Sequence, residues 1–181
     1  MAIHLTATIH EATVVELLGQ LFPLTVKIDE KKGRFLQVDR PAHVGFVKGE
    51  GLRIHTSAEV QWSVAGLPLR FVLRRLSAMI RPEIVRDPVG GKLVFRVEVE
   101  DVDLKGVPSA IDASLVATVN GRLAAMGDKI GWDFGQTLRR TIPLPPSMDP
   151  VEAFQMRAQE GEVVVERDHL RFSFYTPSRF K

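Results

Sequence analysis

The most regular alternation of apolar and polar residues in the chain covers the 13 positions from 52 to 64. The apolar residues of this run share one face: Leu52, Ile54, Ala58, Val60, Trp62 and Val64. A period of two predicts a strand with one buried face. A strand of this length extends about 43 Å, roughly twice the usual length. The pattern therefore predicts an unusually long strand.

The same period recurs over residues 67–73 and 93–99, with a turn predicted at 87–91. At Val102 and Leu104 the apolar phase shifts by one residue, which predicts a β-bulge near Asp101. Shorter strands are predicted elsewhere, at 3–9, 24–28, 34–38, 138–144 and in a closing hairpin at 162–175 that turns near Asp168. Strands that follow one another without intervening helices indicate an antiparallel sheet.

A first helix is predicted after residue 8, where Thr8 and Glu11 form a T-x-x-E capping box. Its helical apolar spacing ends at Pro23, because proline cannot continue a helix.

A second, longer helix is predicted at 108–126, with Ser109 as its N-cap. Bulky apolar residues recur there every four positions: Ile111, Leu115, Val119 and Leu123. The opposite side carries small residues, and no charge occurs between Asp112 and Arg122. We expect such a helix to be covered on most of its circumference, with Gly121 allowing a strand to approach closely.

The composition is that of a globular protein of 181 residues, which we expect to form one domain spanning 1–181. The absence of cysteine excludes disulfides, thiolate metal sites and cysteine nucleophiles. A net charge of +2 is too small to indicate nucleic acid as a partner. No signal peptide precedes the patterned sequence, so the expected location is cytoplasmic, or periplasmic if an export signal is missing from this sequence.

No catalytic motif accompanies these patterns. The five histidines are scattered, and the spacings of zinc proteases, nucleophile elbows, phosphate loops and dinucleotide-binding loops do not occur. Four acidic residues lie close together in one predicted strand: Glu98, Glu100, Asp101 and Asp103. They suggest either a hard-metal site or a solvated strand face opposite basic neighbours, and the alternation favours the second. We therefore expect no enzyme, cofactor or metal site.

Five arginines occupy residues 70–86, among them Arg70, Arg74 and Arg75. They are typical of a solvated strand face, or of a surface that binds anionic lipid headgroups or an anionic membrane. Nucleic acid is disfavoured, because the aromatic residues of this stretch fit the core face.

Two segments, IHEATVVELLGQLFPLTVKID and VEDVDLKGVPSAIDASLVATVNGRL, together with a later IPLPP turn, resemble the tubular lipid-binding (TULIP) superfamily. The similarity covers residues 3–175 and is greatest to small single-domain bacterial members, which are related to the bactericidal/permeability-increasing proteins. It implies an α+β fold in which a long twisted antiparallel sheet rolls around a long amphipathic helix as a half barrel. It also implies an apolar groove for a lipid or fatty-acyl ligand.

The predicted lining of that groove comes from the long strands, the second helix and the segment after it: Leu52, Ile54, Val60, Trp62, Leu69, Phe71, Phe95, Val97, Leu115, Val119, Leu123, Met126, Trp132 and Phe134. Periodicity does not distinguish such a groove from a filled core. Two readings of the same fold therefore stay open, a lipid-binding carrier or membrane-associated protein and a non-catalytic protein-interaction domain. A helix-grip domain is disfavoured, because about 50 residues follow the long helix.

Overall fold

The computed structural model describes residues 2–64, 67–87, 90–104, 109–125, 127, 131–143, 146–148, 153–156, 158 and 160–180. Within these ranges the helices are α1 (Glu11–Leu21), α2 (Ser109–Ala125) and α3 (Phe134–Thr137). The strands are β1 (Ala2–His10), β2 (Leu24–Asp29), β3 (Arg34–Val38), β4 (His43–Val47), β5 (Gly51–Val64), β6 (Leu67–Asp87), β7 (Gly90–Leu104), β8 (Gly131–Asp133), β9 (Arg140–Pro143), β10 (Ala153–Met156), β11 (Glu160–Val165) and β12 (His169–Phe180). Short 3-10 helices cover Glu30–Lys32 and Pro146–Met148.

These strands form two antiparallel sheets. The larger has seven strands in the order β2-β3-β5-β6-β7-β8, and β4 also pairs with β5. The smaller has five strands in the order β1-β12-β10-β9, with β11 on β12. The predicted antiparallel arrangement of the strands is therefore confirmed. The prediction of a single sheet is wrong, because within the described residues β1 and β9–β12 pair only among themselves. The strands β4, β8 and β10 and the short helix α3 were not predicted.

The centre of the larger sheet consists of β5, β6 and β7. Leu52 lies opposite Ile80, and Ile80 lies opposite Val97, so the apolar positions of the three strands share one face, the inner face. The pairing passes from Ala78–Val99 to Ser77–Asp101 and leaves Glu100 as an extra residue in β7. The predicted bulge near Asp101 is confirmed. Bulges increase the local twist, which curls a sheet built from such long strands into a half barrel.

Strand β8 pairs with β7 only from Lys92 to Val94. Helix α2 lies along the rest of that edge of β7. The Asn120 side chain accepts from the Val99 backbone N–H (2.8 Å) and donates to its carbonyl (2.9 Å). The Leu104 N–H donates to Asp112 at 3.3 Å. Helix α2 also contacts β2, at the opposite edge of the sheet. The sheet therefore curls until both edges approach one helix.

The side of α2 that faces away from the sheet is open to solvent. Leu115 and Val119 are only 6% and 3% exposed, whereas Ala113, Ala117 and Gly121 are exposed. A Cβ atom added at Gly121 would meet no described atom within 4 Å. The predictions that this helix is covered on most sides and that a strand approaches Gly121 are wrong, because a helix at a sheet edge is contacted on one side.

Helix α1 begins at Glu11, and His10 occupies its N-cap without a side-chain hydrogen bond. The predicted capping box is wrong, because Thr8 belongs to β1 and pairs opposite Arg171 of β12. The predicted end before Pro23 is confirmed, since the helix stops at Leu21. No helix in the described part of the chain is long and apolar enough to cross a membrane.

The two sheets meet through side chains and through the ends of two hairpins. Phe134 of α3 is 0% exposed, and its ring centroid lies 4.7 Å from that of Phe174 in β12. At the β4–β5 turn, the Gly49 N–H donates to the Val165 carbonyl of β11 at 3.0 Å. The smaller sheet therefore packs against the larger one within a shared hydrophobic core.

Candidate ligand-binding site

The predicted lining residues at the middle of the inner face are tightly packed. Leu52 and Ile54 are each 4% exposed and Val60 is 2% exposed. They belong to the same hydrophobic core as Leu115 and Val119 of α2. Side chains of the protein therefore fill this part of the space between sheet and helix.

Other predicted lining residues lie at the margins of that core. Five of them are partly buried against it: Trp62, Phe71, Phe95, Val97 and Leu123. Leu69 lies across from Trp62 in the β5–β6 pair and is 43% exposed, the highest exposure among the predicted lining residues whose side chains the structure describes. Accessible apolar surface on the inner face therefore occurs at the end of β5 and the start of β6.

Three further predicted lining residues lie after α2. Phe134 packs between the two sheets, and a Cβ atom added at Gly91 would lie 2.0 Å from its ring. Trp132 lies in β8 opposite Leu93, but its side chain is outside the described residues. Met126 is also outside them.

A basic residue that the sequence prediction missed lies at the accessible end of the inner face. The guanidinium carbon of Arg34 is 4.0 Å from the centroid of the Trp62 ring. Arg34 begins β3 and shares its face with Leu36 and Val38, which are 3% and 7% exposed. Its Nε atom is buried and has no hydrogen-bond partner among the residues that the structure describes.

The arrangement at Arg34 is suited to an anion. A buried N–H without a partner costs about 1–3 kcal/mol, and a carboxylate or phosphate oxygen would satisfy it. The Trp62 ring holds the guanidinium in place through a cation–π contact, so little side-chain motion would be lost when an anion binds. The period-two alternation Arg34, Leu36, Val38 was the sequence signal that an arginine shares the inner face.

The basic stretch at 70–86 is largely neutralised by ion pairs. Arg70 lies 3.3 Å from Glu59, and Arg75 lies 2.8 Å from Asp101. Arg81 pairs with Glu98, and Arg86 pairs with Glu160 at 3.0 Å. Arg74 is exposed and has no ion pair within the described ranges. Exposed pairs of this kind stabilise a protein by about 0–1 kcal/mol, and they reduce the net charge available to an anionic surface.

The acidic residues of β7 take part in the same outer-face ladder. Both carboxylate oxygens of Glu100 accept from Arg53, at 2.9 and 3.0 Å. Ser77 of β6 donates to Glu100 at 3.1 Å. The hydrogen bond from Arg53 lowers the pKa of the Glu100 carboxyl below its ordinary value, against an opposing effect of burial. These contacts agree with the reading of Glu98, Glu100 and Asp101 as a strand face opposite basic neighbours.

Comparison with solved structures finds a structural similarity. No protein-family model matches this chain, and no curated protein matches it. The chain is similar to a crystal structure of lipopolysaccharide binding protein, with a TM-score of 0.38 and 14% sequence identity. The match covers 96% of this chain and 50% of the other, so this chain spans about half the length of that protein. At these values, the ligand of that protein does not transfer to this chain.

Proposed function

We propose that this protein binds an elongated apolar ligand with an anionic head, of the fatty-acid or acyl-lipid class, without catalysing a reaction. The observation that carries the proposal is Arg34. Its buried Nε lacks a partner, and its guanidinium covers Trp62 beside the exposed Leu69. The resemblance to TULIP proteins and the curled antiparallel sheet are consistent with it.

In this proposal the head of the ligand binds Arg34 and its chain lies on the margin formed by Trp62, Leu69 and Phe71. Burial of one methylene group stabilises a complex by about 0.8 kcal/mol, so ten would contribute roughly 8 kcal/mol before the losses of motion on binding. The packed centre around Val60 excludes the chain unless core side chains move. The expected role is that of a carrier or a membrane-associated protein.

The first experiment asks whether any lipid binds. Purified protein is extracted with organic solvent, and the extract is analysed by mass spectrometry. In parallel, a Trp132→Phe variant leaves Trp62 as its only tryptophan, and its fluorescence is followed as a fatty acid is added. A saturable change in Trp62 emission is expected, because the acyl chain would lie against that ring.

The second experiment tests the role of Arg34. Arg34→Met keeps an unbranched side chain over Trp62 but removes the charge and the donors. Loss of a hydrogen bond to a charged group costs about 1.5–3 kcal/mol, which corresponds to a roughly 10- to 150-fold weaker affinity for the fatty acid. Affinity for the alcohol of the same chain length should change little. Arg70→Gln is the matched control, because Arg70 forms an exposed ion pair.

The competing function is a non-catalytic interaction domain with a filled core. The burial of Leu52, Ile54, Val60, Leu115 and Val119 favours this alternative. It would be supported if neither extraction nor titration revealed a lipid. If lipid binds and Arg34→Met has unchanged affinity for the acid, lipid binding stands but the assignment of the head to Arg34 is wrong.

A further inference from the structure

The structure brings together three metal-binding residues that are far apart in the sequence. His10 is the last residue of β1 and pairs directly with His169, the first residue of β12. Asp168 precedes His169 in the β11–β12 turn, and its carbonyl accepts from the Glu11 N–H at 3.2 Å. Main-chain hydrogen bonds therefore hold the β1–α1 junction against this turn.

The side chains of these residues converge. The imidazole centroids of His10 and His169 are 5.7 Å apart, with their planes inclined by 52°. The His169 Nδ1 lies 2.7 Å from the Asp168 Oδ1. One ligand atom from each residue lies within 4.8 Å of the other two. His10 and Asp168 are exposed, so an ion can reach the cluster from solvent.

We propose that His10, Asp168 and His169 form a binding site for a divalent transition-metal ion, with zinc as the best-suited physiological ion. Bonds of about 2.0–2.2 Å in a tetrahedron place neighbouring ligands roughly 3.4 Å apart. The three ligand atoms already lie within 4.8 Å of one another, and rotation of the exposed His10 and Asp168 side chains would bring them to that spacing. Two imidazoles and one carboxylate suit zinc, nickel and copper, whereas magnesium and calcium require sets of oxygen ligands. A water molecule or an external ligand completes the tetrahedron.

A metal ion at this position would join the first and last strands of the fold. Within the described residues, β1 pairs only with β12 and forms an edge of the smaller sheet. The ligands come from β1 on one side and from the β11–β12 hairpin on the other. Because the unfolded chain does not hold these residues together, binding would stabilise the folded state. This site is separate from Arg34 and does not depend on the proposed lipid function.

The test uses untagged full-length protein stripped of metal, at a pH slightly above neutral. Calorimetric titration with zinc chloride should give one ion per chain. At a free zinc concentration about 100 times the dissociation constant, the melting temperature should rise by roughly 5–10 °C. Magnesium and calcium chloride should leave the melting temperature unchanged.

Variants assign the site. His10→Ala, His169→Ala and Asp168→Asn should each weaken zinc binding by about tenfold or more. The matched control is His43→Ala with His55→Ala, a second cross-strand histidine pair whose ring centroids are 6.0 Å apart. That pair is not part of any metal-binding group among the described residues.

Visible absorption of bound cobalt provides a readout that does not depend on stability. The absorption of a tetrahedral complex is expected with the native protein and with the His43/His55 control, and it should be lost in the His10 variant. Absence of zinc binding to the native protein would overturn the proposal. So would unchanged affinity in His10→Ala or His169→Ala, or an equal loss in the control.

Discussion

The attachment of α2 to the sheet depends on Asn120, and Asn120→Ala tests it. This substitution removes both side-chain partners of the Val99 backbone, whose distances are 2.8 and 2.9 Å. Val99 is 5% exposed, so water replaces the amide poorly. A buried polar group left without a partner costs about 1–3 kcal/mol, and two such groups give an expected loss of roughly 2–6 kcal/mol in the free energy of unfolding.

The assay is urea denaturation followed by circular dichroism, together with hydrogen exchange of a peptide covering residues 95–104. Exchange at the Val99 amide should accelerate, because its acceptor is gone. The Leu104 N–H should remain protected by Asp112, which the substitution leaves in place. The expected change is therefore local to the middle of the helix–strand contact.

The matched control is Thr118→Ala on the same helix. The Thr118 hydroxyl donates to the Ser114 carbonyl within α2 at 2.8 Å and makes no described hydrogen bond to the sheet. A change within about 0.5 kcal/mol is expected for it. If Asn120→Ala were no more destabilising than this control and exchange at Val99 did not change, Asn120 would not hold α2 to β7.

Three other substitutions test separate features. The hydrogen bond from Arg53 lowers the pKa of Glu100 in the folded protein. The stability that this bond contributes is therefore fully present above the ordinary glutamate pKa of 4.5, and it is lost as the pH falls through the lower pKa of the folded state. As the pH falls through that window, the free energy of unfolding measured in urea should decrease by up to about 1 kcal/mol more for the native protein than for the Glu100→Gln variant. Equal decreases would exclude this contribution. Gly121→Ala should raise the free energy of unfolding by about 0.5–1 kcal/mol, because the site is helical and open; a lower melting temperature would contradict that exposure. Gly91→Ala should destabilise by about 1–3 kcal/mol, because its Cβ would lie 2.0 Å from the Phe134 ring, and an unchanged melting temperature would contradict this packing.

The long central strands were predictable because burial on one face leaves a local trace in the sequence. The alternation at 52–64 predicted β5 to within one residue, and the phase shift at Val102 located the bulge at Glu100. In both cases the signal depends on neighbouring residues only, since side chains of a strand point alternately to opposite faces.

The environment of α2 could not be predicted in the same way. Its small, uncharged side is exposed although its composition suggested cover, because the helix lies along the edge of β7. Arg34 illustrates an intermediate case. Its position two residues before Leu36 determined which face it shares, but only the pairing of β3 with β5 brought it over Trp62.

The sequence by itself determined the antiparallel arrangement of the strands, the apolar inner face of the long strands and the absence of cysteine chemistry. The tertiary structure decided how tightly the centre of that face is packed and that Arg34 lies over Trp62 at its accessible end. It also decided that His10 lies close to Asp168 and His169. The physical reason is the range of the interactions. Alternation records how each segment divides between core and solvent, whereas contacts between the first and last strands depend on hydrogen bonding and packing across the whole fold.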